Sequence, residues 1–194
     1  MSDQDPRSRL LDDVIAHAGV HGLADTSLRQ LAEGVGTSHR MLIHHFGSKE
    51  QLLVAVVHEV ERRQRDALVD LGRETDDMAE LGRLFWERLA DPELAPLERL
   101  FFELSSQALL ERPWARDFLD GIVEDWIGPV AELLGAEGLD AATARARARL
   151  SVAVSRGLLL DLLATGDRAG VDAAMADFGE LLAAASATTA TPSS

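Results

Sequence analysis

The chain has no cysteine and no tyrosine, and Lys49 is its single lysine among 194 residues. The missing cysteine removes disulfides, thiolate metal sites and cysteine nucleophiles from consideration. Aromatic residues are scarce, six phenylalanines and three tryptophans, so each one on an apolar face is informative. No stretch alternates apolar and polar residues for the length of a strand. The longest apolar stretch, Leu150 to Gly166, is interrupted by Arg156 and Asp161 and falls short of the roughly 20 residues that span a bilayer. No membrane association is expected. The start, "MSDQDPRSRLLDD", is polar and acidic without an apolar signal core, which points to a cytoplasmic protein. There is no glycine-rich phosphate loop and no G-x-S-x-G. "HEVER" at His58–Arg62 lacks the second histidine that HExxH needs to hold zinc. Neither an enzyme nor a cofactor is expected.

Apolar residues make up 46% and charged residues 27%, enough for a substantial core. The apolar residues recur at helical spacing. Leu10, Leu11, Val14, Ile15 and Ala18 form one stripe, ending near Gly19–Gly22. Thr26 or Ser27 can cap a second helix whose inner face is Leu28, Leu31, Ala32 and Val35, stopped by Gly36. Ser38 caps a third, with Leu42 and Phe46 inward and Gly47 closing it. Ser48, followed by Gln51, has the spacing of a capping box for a fourth helix, striped by Leu52, Leu53, Val56, Val57 and Val60. Beyond it, Met78, Leu81, Leu84 and Phe85 mark one helix, and Leu97, Leu100, Phe101, Leu104 and Ala108 another. Phe118, Ile122, Trp126 and Val130 predict a further helix, kinked at Gly128–Pro129. "LSVAVSRGLLLDLL" (150–163) is apolar nearly all round, as for a helix buried on both sides. Val171, Ala174, Met175, Phe178, Leu181, Leu182 and Ala185 stripe a last one. The expected fold is all-α, with about nine helices. It would comprise a three-helix domain over residues 1–47, a larger helical domain over 48–186 and an unstructured tail over 187–194.

Charge is unevenly placed. The total is −14, but residues 1–60 carry five Lys/Arg against eight Asp/Glu and hold all six histidines. Residues 61–194 carry fourteen against twenty-five. Between Thr26 and Lys49 the sign reverses, because Arg29, Arg40 and Lys49 face only Glu33. Distant carboxylates are screened over roughly 10 Å at ordinary ionic strength, so this local sign decides what the segment can bind. His17 and His21 have an i,i+4 spacing suited to zinc, yet Gly19 and Gly22 argue against a continuous helix there, and no third ligand is evident.

Ala32, three residues, then Gly36 and a capped short helix is the layout of a helix-turn-helix. The alanine lets the helices cross closely and the glycine makes the turn. The continuation, "TSLRQLAEGVGTSHRMLIHHFGSKEQLL", resembles the N-terminal domain of the tetracycline-repressor (TetR) family of bacterial transcriptional regulators. The resemblance rests on "LRQLAEGVG", the ending "HHF" and "GSKEQLL", and covers about residues 8–60. It implies that the third helix enters a major groove of double-stranded operator DNA. Position by position, Thr26, Ser27, Ser38, His45 and Lys49 would then hold or position phosphates, while His39, Arg40, Met41 and His44 would face bases. Arginine can bond guanine bidentately, and Lys49 opens a helix whose free amides favour a phosphate. Where many relatives have Gly-Thr-Leu-Tyr, this chain has Arg40-Met41-Leu42-Ile43. Ile43 and the acidic total charge leave open a second reading, a helical ligand-binding protein with weakened or lost DNA binding.

For the larger domain the resemblance implies a cavity for a small-molecule effector and a dimerisation pair. Trp86, Phe101, Phe102, Trp114, Phe118 and Trp126 are candidates to line an apolar site, with Glu103, Ser106 and Gln107 as orienting groups. Simple core filling is the competing account of each. A homodimer is expected through helices at about 142–165 and 169–186, because so apolar a pair leaves a patch that a monomer would expose. Arg156 and Asp161 inside that helix are costly to bury unpaired. Partners across the subunit interface or in a pocket would resolve that cost. Two-fold symmetry would make the operator palindromic, and the expected activity is repression relieved by a largely apolar effector.

Overall fold

The computed structural model describes residues 5–23, 26–75 and 77–189. Among them are nine α-helices, two 3-10 turns and no strand. The helices are α1 (Pro6–His21), α2 (Leu28–Gly34), α3 (His39–Phe46), α4 (Lys49–Glu74), α5 (Met78–Leu89), α6 (Ala95–Leu109), α7 (Glu124–Ala136), α8 (Ala141–Thr165) and α9 (Arg168–Thr189). The 3-10 turns are Pro92–Leu94 and Pro113–Leu119. No helix is long and apolar enough to cross a membrane among the described residues.

The helices group into two compact units. The first comprises residues up to Arg63 and residues Pro92–Asp120, which brings α6 and both 3-10 turns to the helix-turn-helix and the start of α4. The second comprises Gln64–Asp91 and the chain from Gly121 on.

In the first unit α1 buries Leu10, Leu11, Val14 and Ala18, the stripe its spacing predicts. The helix runs unbroken through Gly19 to His21 and stops at Gly22, whose φ of 71° favours glycine. α4 buries Leu52, Leu53, Val56, Val57 and Val60. Arg63 bridges Asp12 on α1 and Glu59, and Glu59 also accepts from Arg62 (2.7 Å). These hydrogen bonds, the one from Arg62 foremost, pull the Glu59 carboxyl down to about 2.

In the second unit Leu68, Leu81 and Trp126 form a buried centre, with Leu71, Met78, Phe85, Val130, Leu133 and Val152 packed round it. Asp172 on α9 accepts the indole N–H of Trp86 (2.6 Å) and the Nε of Arg168 (2.8 Å), while Arg168 also reaches the Ala90 carbonyl. α8 is capped by Asp140, whose carboxyl is held below its usual range chiefly by the Thr143 hydroxyl.

Four expectations change. Phe118 and Ile122 do not continue into the helix of Trp126. Pro113 opens a 3-10 turn, Gly121 takes a φ of 75°, and α7 starts only at Glu124, with Pro129 inside it. The apolar stretch 150–163 is not buried on both sides within one chain, since Leu150 is 49% and Leu160 51% exposed. Arg156 needs no partner from another subunit, because its guanidinium donates to the Ile122 carbonyl (2.6 Å). Asp161 is exposed to solvent. Finally, α9 stays helical to Thr189, three residues into the segment expected to be a tail, and residues 190–194 lie outside those described.

Candidate nucleic-acid interface

Ser27 begins the helix-turn-helix with a reciprocal cap. Its hydroxyl accepts from the Gln30 amide (3.3 Å), and the Gln30 carboxamide oxygen accepts from the Ser27 amide (3.0 Å). Such caps matter for a seven-residue helix, too short to be stable alone. Leu31 and Ala32 are each 2% exposed, and the His17 ring lies directly over Gly34, so that a Cβ there would have to displace the ring. Gly36 turns the chain at a φ of 69°, and the Thr37 amide closes the turn onto the Ala32 carbonyl (2.8 Å).

α3 is amphipathic in the sense the site requires. Ser38 caps it, its hydroxyl accepting from the Met41 amide (3.2 Å). Leu42 and Phe46 point inward at 1% and 6% exposure. The opposite side presents Arg40, Met41 and His44; these three, His39 at the first position and Ile43 are all exposed, with His45 half-buried. The His44 and His45 rings stand 5.0 Å apart, edge to face. Gly47, at a φ of 81°, ends the helix by donating to the Ile43 carbonyl (2.8 Å). Ser48 then accepts from the Gln51 amide (3.1 Å) at the start of α4. The return bond of the expected capping box is replaced by one from the Ser48 amide to the Phe46 carbonyl (3.0 Å). Thr26 is half-buried, Ser27 and Ser38 exposed, and Lys49 half-buried at the first position of α4.

The predicted base-facing residues are thus all exposed on α3; of the predicted phosphate-facing residues, Thr26, Ser27, Ser38 and Lys49 sit at the starts of α2, α3 and α4, whereas His45 lies in the last turn of α3. Reasoning from sequence missed Arg7. Its Nε donates to the His45 carbonyl (3.3 Å) and its guanidinium lies 5.1 Å from the centre of the Phe46 ring. The only hint in the sequence is a cation in the first turn of a helix that has no acidic residue there. Among the described residues no group of three or more His, Cys, Asp or Glu side chains is placed to hold a metal. The His17 and His21 rings instead lie 4.5 Å apart.

The effector candidates divide between the units. In the first, Phe101 packs edge to face on Phe102 (5.2 Å) and Phe118 (6.0 Å), and Phe118 meets the His58 ring (5.6 Å). Phe101 and Phe118 are buried, Phe102 and Gln107 half-buried, and Glu103, Ser106 and Trp114 exposed. In the second, buried Trp126 packs on Phe85 (5.7 Å) and under Arg65 (5.8 Å), and buried Trp86 gives its N–H to Asp172. Glu61, Gln64 and Glu98 are buried as well. Their signal in the sequence was a polar residue on an apolar stripe, Glu61 four after Val57 and Glu98 three before Phe101.

This geometry matches known proteins in one direction. Residues 15–56 match the model of the bacterial regulatory proteins, tetR family. No curated protein is significantly similar in sequence. Solved structures share the fold over nearly the whole chain. A TetR-family transcriptional regulator from Rhodococcus sp. is 20% identical, covering 90% of this chain and 96% of its own at a TM-score of 0.70. A TetR transcriptional regulator from Legionella pneumophila is 19% identical, covering 94% and 99% at 0.70. One from Pectobacterium atrosepticum is 22% identical, covering 91% of each chain at 0.67. The all-α fold is that of TetR-family transcriptional regulators, and its helix-turn-helix carries the family's sequence pattern.

Proposed function

We propose that the protein is a cytoplasmic, homodimeric repressor that binds a palindromic operator and is released by a small, largely apolar effector. The observation that carries this reading is the set of exposed α3 residues, His39, Arg40, Met41 and His44, on a segment with the tetR-family pattern. Residues 1–47 are the reading head and 48–186 the effector and dimerisation domain. Thr26, Ser27, Ser38, His45 and Lys49 position phosphates. The aromatic groups around Phe101 and Phe118 and around Trp126, with Trp86, Trp114, Glu103 and Gln107, are the effector candidates. Catalysis has no place in this reading.

Dimerisation is supported by the outer face of α8, where Leu150, Ala153, Gly157, Leu160 and Ala164 are all exposed at spacings that put them on one side of the helix. An effector releases DNA only if it binds the DNA-incompetent arrangement more tightly. The test is selection of bound duplexes from random DNA at moderate salt. An enriched palindrome is expected. Arg40→Ala should relax one base step per half-site, a loss of about tenfold discrimination there. Lys49→Ala should weaken all duplexes alike and lower the salt slope by about 1 per half-site. No enriched sequence would favour the second reading, a ligand-binding protein that has lost DNA recognition, for which exposed Ile43 is the motivating residue.

A further inference from the structure

Arg7 occupies a poor position in its own helix. It lies in the first turn of α1, where the aligned peptide dipoles leave partial positive charge and a cation is disfavoured. The guanidinium is instead spent on another helix. It donates to the carbonyl of His45, 38 residues away, and lies over the ring of Phe46, 5.1 Å from its centre. Both contacts fall in the last turn of α3, the end where a cation is favoured.

The last carbonyls of α3 show what this contact does. The Ile43 carbonyl accepts from the Gly47 amide and the Phe46 carbonyl from the Ser48 amide, both within the chain's own turn. The His45 carbonyl accepts from Arg7, a tertiary partner. An eight-residue helix that buries Leu42 and Phe46 has little of its own to hold its last turn in place. That last turn carries His44 and His45.

We propose that Arg7 is a positioning residue for DNA reading. By capping and stacking on the end of α3 it sets how that helix is presented, and so affects sequence discrimination without touching DNA. The inference rests on the DNA-binding reading of α3, and its experiment separates the two.

Arg7→Ala, Arg7→Lys and the unchanged protein are compared in three measurements. These are affinity for the selected operator, affinity for a scrambled duplex across a salt series, and hydrogen exchange of the Gly47 amide without DNA. Arg7→Ala should lower the operator-to-scrambled ratio about tenfold, leave the salt slope unchanged, and speed Gly47 exchange about tenfold. Arg7→Lys keeps the charge but not the planar Nε donor, so it should restore less than half of the lost discrimination. Equal loss on both duplexes with the slope lowered by about 1 per half-site would make Arg7 a phosphate contact and overturn the proposal. So would full rescue by lysine, or unchanged exchange at Gly47. If the unchanged protein binds no duplex selectively, the DNA-binding reading fails, while the exchange measurement still reports on the contact with α3.

Discussion

Glu111 shows how one residue can carry local strain. It follows α6 at a φ of 56°, the one non-glycine residue described with positive φ. The hydrogen bonds are those of a helix stop built for glycine: the Glu111 amide donates to the Ala108 carbonyl (2.9 Å) and the Arg112 amide to the Gln107 carbonyl (3.1 Å). A side chain in this conformation costs about 1 kcal/mol, so Glu111→Gly should stabilise the protein by about 0.5–1 kcal/mol. A thermal melt showing no rise in midpoint would mean that the carboxylate contributes a compensating contact. Arg40, Ile43 and Arg7 illustrate the other side of this scale. Residue identity shows that Arg40 could read guanine, but whether it is exposed depends on which side of α3 faces the core. That side is decided by Leu42 and Phe46, which were legible as a stripe. Arg7 was not legible, because its contacts lie 38 residues away in sequence.

Helices were readable where their ends carried chemistry. Ser27, Ser38 and Asp140 cap as their residue types predict, since a side-chain oxygen satisfies amides that the helix cannot. The helix expected through Phe118, Ile122 and Trp126 failed because its spacing was right but its backbone was not. The turn at Gly121 breaks a stripe that periodicity alone cannot see broken. Elements are then joined by contacts such as the bridge from Asp12 through Arg63 to Glu59. The folded Glu59 carboxyl lies at about 2, below its ordinary 4.5, so it contributes stability that is present above about pH 4.5 and is lost as the pH falls through 2. Because Arg62 is half-exposed (53%), screening limits the effect. Glu59→Gln should cost about 1–2 kcal/mol at pH 7. The gap between the two proteins should close as the pH is lowered from about 5 toward 2. A gap that stays constant in acid would show that the loss comes from packing.

For the whole molecule, the exposed stripe on α8 leads to a prediction about assembly. Leu160→Lys places a charge in the middle of that face. It should shift the protein from dimer to monomer in sedimentation at micromolar concentration, with helix content unchanged by circular dichroism. A dimer that persists would place the interface elsewhere. The all-α class, the approximate helix count and the helix-turn-helix were determined by the sequence, because they rest on periodicity, capping and glycine stops within a few residues of one another. Tertiary structure alone decided which helices group into each compact unit, that Arg156 bonds the Ile122 carbonyl, that Asp172 joins Trp86 to Arg168, and that Arg7 caps α3. Each depends on a contact between segments distant along the chain, and a pattern read from neighbouring residues carries no record of which distant carbonyl or ring will be brought within reach.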